Sequence, residues 1–369
     1  LAIALGWACG AFASSSTWVQ RALPTGTTTL TVDGVSCSGG VCVALTTPCG
    51  YEGCGGLPPT GVLRSIDGGA TWASVSVPDV ISDANPDGIG DFKQVSCWSA
   101  TGCVMDYERG PVGPTEAGGI LYSADGGSTW SFATVPGQAA DVTGLSCQSG
   151  GQCVAGLETS SGSSSSSWLL SSSDGGQTWG NETHWPSAVS SNSGLWCWGA
   201  HCVAVGTNGH GDSITASSSN GGVSWSVSRL PVGVSAVYDV ACPTATTCLT
   251  VGYGHSVLSG RVLLSTTGGT SWKVVTVPSG TGIQLGVACA SAATCLTVGM
   301  QSTANPVRTE VLLSTNGGGQ WTKQVLPRAY GQLDAVTCIP RGRCVATGQW
   351  LRYSGGKAIA TAGLILTYR

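Results

Sequence analysis

One octapeptide recurs along the chain and limits what it can fold into. Ser65-Ile-Asp67-Gly-Gly-Ala-Thr71-Trp72, Ser123-Ala-Asp125-Gly-Gly-Ser-Thr129-Trp130 and Ser172-Ser-Asp174-Gly-Gly-Gln-Thr178-Trp179 share the pattern Ser-x-Asp-Gly-Gly-x-Thr-Trp. Three looser copies end at Trp225, Trp272 and Trp321, with Asn220, Thr267 and Asn316 in the Asp position. The tryptophans are spaced by about 46 to 58 residues, the length of one supersecondary unit, and units of this kind must stack to bury their apolar faces. A second series, of close cysteine pairs, runs in phase with the first. Its members are Cys37 and Cys42, Cys97 and Cys103, Cys147 and Cys153, Cys197 and Cys202, Cys242 and Cys248, Cys289 and Cys295, and Cys338 and Cys344. The second cysteine of each pair opens an apolar strand such as Cys248-Leu-Thr-Val-Gly.

Each unit reads as four antiparallel strands. Strand a ends at the first cysteine, strand b starts at the second, strand c is the apolar run before the glycines, and strand d starts at the tryptophan. The Gly-Gly pair supplies the positive φ of a tight c–d turn. Seven cysteine pairs therefore predict an all-β, seven-bladed propeller. Six octapeptides serve seven blades, and the chain ends account for the difference. Residues 363–368 read as a strand c with nothing after it, and Thr17–Pro24 reads as an orphan strand d. Together they complete the last blade, so the N-terminal strand closes the ring and removes the open sheet edges.

The 17 cysteines of the 369-residue chain, nearly all in short-spaced pairs, point to disulfides and an oxidising, extracellular or cell-surface location. Each of the seven pairs is expected to be bonded within itself. Histidine is scarce and never sits at zinc-ligand spacing from a second ligand. Cys49 and Cys54 form an eighth expected disulfide, and Cys9 is left over. Charged residues are only 9% of the chain and the net charge is −4, which leaves no basic footprint for nucleic acid. Residues 1–13 are apolar and end in Ala11-Phe12-Ala13, as in the hydrophobic segment and cleavage site of a signal peptide. The alternative is an apolar arm through which copies of the chain assemble. Residues 14–369 form the single propeller domain. Ser163–Ser167 reads as a flexible b–c loop tip.

The octapeptide resembles the Asp-box, or BNR repeat, of sialidases, xyloglucan-degrading glycosidases, sortilin-type receptors and photosystem II assembly-factor propellers. The resemblance implies a structural role for Asp67, Trp72, Asp125, Trp130, Asp174, Trp179, Trp225, Trp272 and Trp321, away from any active centre. A sialidase-like centre would need three arginines on inner strands, and the residues leading into the seven first cysteines include none. Kinship of fold does not settle function.

Four residues before the first cysteine of each pair stand Asp33, Lys93, Thr143, Ser193, Tyr238, Leu285 and Asp334. Blades 7, 1 and 2 adjoin, so Asp334, Asp33 and Lys93 are expected to cluster at one mouth of the central channel. Paired carboxylates there could serve as acid and base of a glycoside hydrolase; the plainer reading is that they solvate the channel. Asp83-Ala-Asn85-Pro-Asp87-Gly-Ile89-Gly-Asp91 alternates oxygen donors as calcium-binding loops do, with Ile89 offering its carbonyl, and reads as a structural calcium site. The a–b and c–d turns share one end of the ring, and the variable b–c and d–a loops share the other. Binding residues usually sit on variable loops held by a rigid scaffold. The expected function is thus a secreted, non-catalytic propeller that presents its b–c/d–a face to a protein or glycan, with a secreted glycosidase as the alternative.

Overall fold

Each repeat becomes one sheet, because a Gly-Gly turn and a disulfide-closed hairpin make its four segments pair in chain order. The computed structural model describes residues 17–27, 30–48, 61–78, 92–107, 118–136, 141–161, 164–185, 189, 191–208, 210–255, 259–301, 306–327, 330–339, 343–354 and 357–368. They form seven four-stranded antiparallel sheets, the blades of a propeller. Blade 1 runs Leu30–Ser38, Val41–Pro48, Gly61–Ser65 and Ala73–Val75 from strand a to strand d. Each strand a lies against strand a of the next blade, so the seven line the central axis.

Blade 7 is completed as the termini suggest. Trp18–Gln20 pairs with strand c, Lys357–Tyr368, in the register Trp18↔Tyr368, Val19↔Thr367 and Gln20↔Leu366. The rings of Trp18 and Tyr368 lie 5.2 Å apart, and Arg21 extends the clasp through N–H to the Ile365 carbonyl and Nε to Thr367 Oγ1.

The octapeptide turn is a closed hydrogen-bond unit. In blade 1, Ser65 Oγ donates to Asp67 Oδ1 at 2.8 Å and accepts from the Gly69 N–H at 2.9 Å. Asp67 Oδ1 accepts the N–H groups of Ala70 and Thr71, and its Oδ2 accepts Thr71 Oγ1. Trp72 Nε1 closes the unit on the Gly69 carbonyl at 2.9 Å. Burial would raise the Asp67 carboxyl, but the bonds from Thr71, Ser65 and Ala70 outweigh it and bring the pKa down to about 2. The looser copies keep the geometry with neutral groups. Asn220 Oδ1 and Thr267 Oγ1 accept the N–H four residues on, as Asp67 does.

Both glycines are required, for different reasons. The first donates its N–H to the a–b hairpin of its own blade in all six turns, from Gly68 on Gly40 to Gly317 on Ala293. The second presses on the blade before. A Cβ on Gly176 (φ +81°) would stand 2.2 Å from Val104 Cγ1, and one on Gly318 (φ +87°) 2.4 Å from Leu249 Cδ2. Gly176→Ala should therefore combine a left-handed backbone penalty with overpacking and cost about 2–4 kcal/mol. Gly221→Ala, with φ +71° but open space around it, should cost only about 1 kcal/mol. Urea denaturation of the two variants measures the difference; equal costs would contradict the inter-blade contact.

The seven hairpin cysteine pairs are all disulfides, and each joins strand a to strand b of its own blade. Cys37 is bonded to Cys42, Cys97 to Cys103, Cys147 to Cys153 and Cys197 to Cys202. Around the rest of the ring, Cys242 is bonded to Cys248, Cys289 to Cys295 and Cys338 to Cys344. The Cα–Cα distances are 4.0–4.1 Å throughout. Each bond closes so short a loop that the chain-entropy gain is about 2 kcal/mol. Cys49 and Cys54, Cys9 and residues 1–13 lie outside the described residues. One local expectation fails. The serine run is not a loop tip: strand c of blade 3 is Ser164–Ser172 and its ladder continues to Ser161↔Ser164. Backbone pairing needs no apolar side chain, so composition alone misjudged Ser164–Ser167, while Ser163 lies outside the described residues.

Candidate functional site

The column of residues four before each first cysteine has a structural cause. Strand a carries a β-bulge in every blade where it is described at that level, with the register shifting at Val32/Gly34, Val142/Gly144, Asn192/Gly194, Val237/Asp239, Gln284/Gly286 and Leu333/Ala335. The residue left without a ladder partner is Asp33, Thr143, Ser193, Tyr238, Leu285 or Asp334 in turn. Bulges re-aim side chains and are frequent beside functional sites. Lys93, in the same column, precedes the described strand a of blade 2, Val95–Cys97, and is exposed.

Asp33 and Asp334 meet across the seam between blades 1 and 7. Burial first, and the charge of Asp33 second, push the Asp334 carboxyl up to about 7, against the bond it accepts from Gln332 Nε2. Asp33 Oδ2 accepts from Thr31 Oγ1 at 3.1 Å and from Thr47 Oγ1. Lys93 lies across the other seam of blade 1, towards blade 2: a Cβ on Gly34 would stand 3.1 Å from its carbonyl oxygen. The Lys93 and Gln94 N–H groups both donate to Asp106 Oδ1 at 2.8 Å, so a fully buried carboxylate fixes the backbone where blade 2 begins.

The glycines beside the bulges hold the inner strands at contact distance. Cβ atoms on Gly194 and Gly286 would lie 3.1 Å from Asp239 Cα and 3.2 Å from the Asp334 carbonyl oxygen. Blades 1 to 4 are further stitched by serines before the cysteines. Ser36, Ser96 and Ser146 Oγ each accept the N–H of the next blade's first cysteine at 2.9 Å. Trp196 follows in that column and ends the series. Asp239 does the equivalent work between blades 5 and 6, accepting the Val240 and Val287 N–H groups at 2.8 Å. Burial raises its carboxyl to about 6 against those two bonds. Asp239 is absent from the column of candidates because it stands three, not four, residues before its cysteine. Its neighbour Tyr238 packs on Tyr253 with ring centroids 6.0 Å apart, and burial followed by Tyr253 raises the Tyr238 hydroxyl.

Blade 6 holds a further buried network that charge counting did not single out. Glu310, 4% exposed, accepts from the Gly282 N–H and Gln284 Nε2 and pairs with Lys323 Nζ at 2.8 Å. It anchors the d–a connection of that blade. A histidine also lies near two sulfurs: His201, Cys242 and Cys248 come within 4.8 Å of one another. The two cysteines are joined to each other, so no thiolate is there to bind a metal. The expected calcium ligands Asp83, Asn85, Asp87, Ile89 and Asp91 lie outside the described residues.

No protein-family model matches the chain, and no curated protein matches it in sequence. Solved structures resemble it in fold. YCF48 from Cyanidioschyzon merolae aligns with a TM-score of 0.62 at 16% identity over 96% of this chain and 99% of that one. An ulvan lyase of polysaccharide lyase family PL25, solved with a GlcA–Rha3S oligosaccharide, gives 0.56 at 11% identity over 94% and 95%. Trypanosoma rangeli sialidase in complex with 2,3-difluoro-KDN gives 0.51 at 9% identity, over 95% of this chain but 58% of the sialidase. Identities this low establish a shared propeller fold and nothing finer.

Proposed function

We propose that the chain is an exported, non-catalytic propeller that presents its b–c/d–a face to a protein or glycan. The observation that carries the reading is the state of the two carboxylates at the channel. Asp33 is engaged by Thr31 and Thr47, Asp334 by Gln332, and the glycines beside them bring neighbouring inner strands into contact. Groups already satisfied by their own scaffold brace a ring more readily than they work on a substrate. Among the described residues the innermost strands carry no arginine, which speaks against an anionic-sugar clamp of the sialidase kind. Seven disulfides suit an oxidising compartment. Calcium bound by residues 83–91 and assembly of copies through residues 1–13 belong to the same proposal.

One observation favours the second reading, a secreted glycoside hydrolase. Asp334, raised to about 7 beside the Asp33 charge, has the protonation expected of a general acid next to a carboxylate. A glycan and secreted-protein binding screen on the intact ring, with and without Ca²⁺, tests the first reading. The same samples are assayed for release of reducing ends from neutral polysaccharides. Saturable binding that survives Asp33→Asn and Asp334→Asn, with no sugar released, is the expected result. Sugar release abolished by Asp334→Asn would replace the binding role with hydrolysis.

A further inference from the structure

The residue before the second cysteine of a hairpin packs on the next blade's octapeptide turn at three seams. A Cβ on Gly68 would stand 3.1 Å from Arg343 Nη1, and one on Gly126 would stand 3.3 Å from Val41 Cγ1. At the third seam the residue is His201 of blade 4, and a Cβ on Gly268 (φ +65°) of blade 5 would stand 3.0 Å from its Cε1 and 3.3 Å from its Nε2. The other hairpins carry Gly102, Gln152, Thr247 or Thr294 at this position, so His201 alone brings an imidazole to it.

That imidazole meets the disulfide of blade 5. One of its nitrogens and the sulfurs of Cys242 and Cys248 lie within 4.8 Å of one another, the only such trio of histidine, cysteine and carboxylate groups among the described residues. Trp196 meets the ring edge-on, with centroids 6.5 Å apart. His201 Nε2 is buried and has no hydrogen-bond partner there, a costly state for a polar nitrogen. Cys242 and Cys248 are buried as well, so water does not contest the space between the three groups.

We propose that His201, Cys242 and Cys248 form a Zn²⁺ site in the reduced protein, which the Cys242–Cys248 disulfide replaces on oxidation. Cysteines are made as thiols, so the chain passes through the reduced state before its disulfides close. Zn²⁺ displaces the two thiol protons and takes two thiolates and one imidazole, with its fourth tetrahedral position left to water. Ligands on one tetrahedral zinc stand about 3.5–3.8 Å apart, as bonds of about 2.0–2.3 Å require, so groups already within 4.8 Å need only small shifts. Oxidation proceeds by thiol–disulfide exchange. A disulfide oxidant takes two electrons from the two thiolates and leaves as two thiolates of its own, and the ion, left with one imidazole, departs. A buried imidazole nitrogen without a partner is what the departure leaves behind. The other six hairpins offer two sulfurs and no histidine at the matching position, fewer protein ligands than zinc sites use. The site lies at the a–b/c–d end of the ring and stands independently of the function proposed for the opposite face.

The other hairpins serve as internal controls. The full-length protein is reduced with a phosphine, given one equivalent of Zn²⁺ and treated with N-ethylmaleimide, and peptide mass spectrometry reads each cysteine separately. Zn²⁺ should slow alkylation of Cys242 and Cys248 about tenfold or more and leave the other pairs reacting as they do without metal. His201→Gln, which keeps a polar end of similar size, should abolish that protection. Urea denaturation of the same reduced samples gives a second readout: Zn²⁺ should raise the midpoint of the wild type and leave that of His201→Gln unchanged. Protection spread evenly over all pairs, protection that survives His201→Gln, or no protection at all overturns the proposal. A reduced chain that has unfolded gives the first or the last of these.

Discussion

The protein is expected to lose stability as the pH is raised from 4 to 8, and Asp334→Asn should remove most of that loss. Asp334 sits at about 7 in the folded ring against 3.8 when unfolded, and Asp239 at about 6. Between those values the folded chain retains protons that the unfolded chain releases, so the stability these groups confer is present below 3.8 and is lost as pH rises through the folded values. A shift of about three units corresponds to about 4 kcal/mol, and a partly solvated carboxyl realises about half to all of it. The octapeptide aspartates act in the opposite sense. Asp67 and Asp174 are held at about 2, so their contribution is present above 3.8 and disappears as pH falls through 2. Stability should therefore peak near pH 4 and fall from there towards pH 7. Urea midpoints from pH 3 to pH 8 for the wild type and Asp334→Asn provide the check. A flat wild-type profile, or a variant whose profile runs parallel to it, would refute the raised carboxyl of Asp334.

Blade number, strand order and ring closure were legible in the sequence because each has a periodic or terminal marker. Cysteine pairs count blades, and an orphan strand at each end of the chain reveals the shared blade. The bulge column was half legible. Its position relative to the cysteine could be read, which placed Asp33 and Asp334 in one column. That a bulge creates the column could not be read, because one extra residue in a strand leaves no compositional trace. Asp239 and Asp106 were invisible for a related reason. Each holds backbone N–H groups distant in sequence or on another blade, and nothing local to an aspartate says which amides it will meet.

Removing residues 1–20 should convert a closed ring into one that associates through an open sheet. Trp18 is 7% exposed and packs with Leu296, Val311 and Tyr368 at the junction of blades 6 and 7. Truncating a buried tryptophan to alanine costs about 3–5 kcal/mol, so Trp18→Ala and Trp321→Ala should be comparably destabilising, since Trp321 is equally buried. The deletion differs in kind. It strips the only partner from the outer edge of strand c in blade 7, a 12-residue strand, and exposes a row of unpaired N–H and carbonyl groups. Light scattering should then find Trp321→Ala monomeric and the deletion variant associating as its concentration rises. A synthetic peptide covering residues 17–23 should suppress that association by re-forming Trp18↔Tyr368 and Gln20↔Leu366. A deletion variant that stays monomeric, with a melting temperature within about 2 °C of wild type, would mean that strand d of blade 7 is dispensable. Closure through the N-terminus would then be a consequence of the fold and not one of its causes.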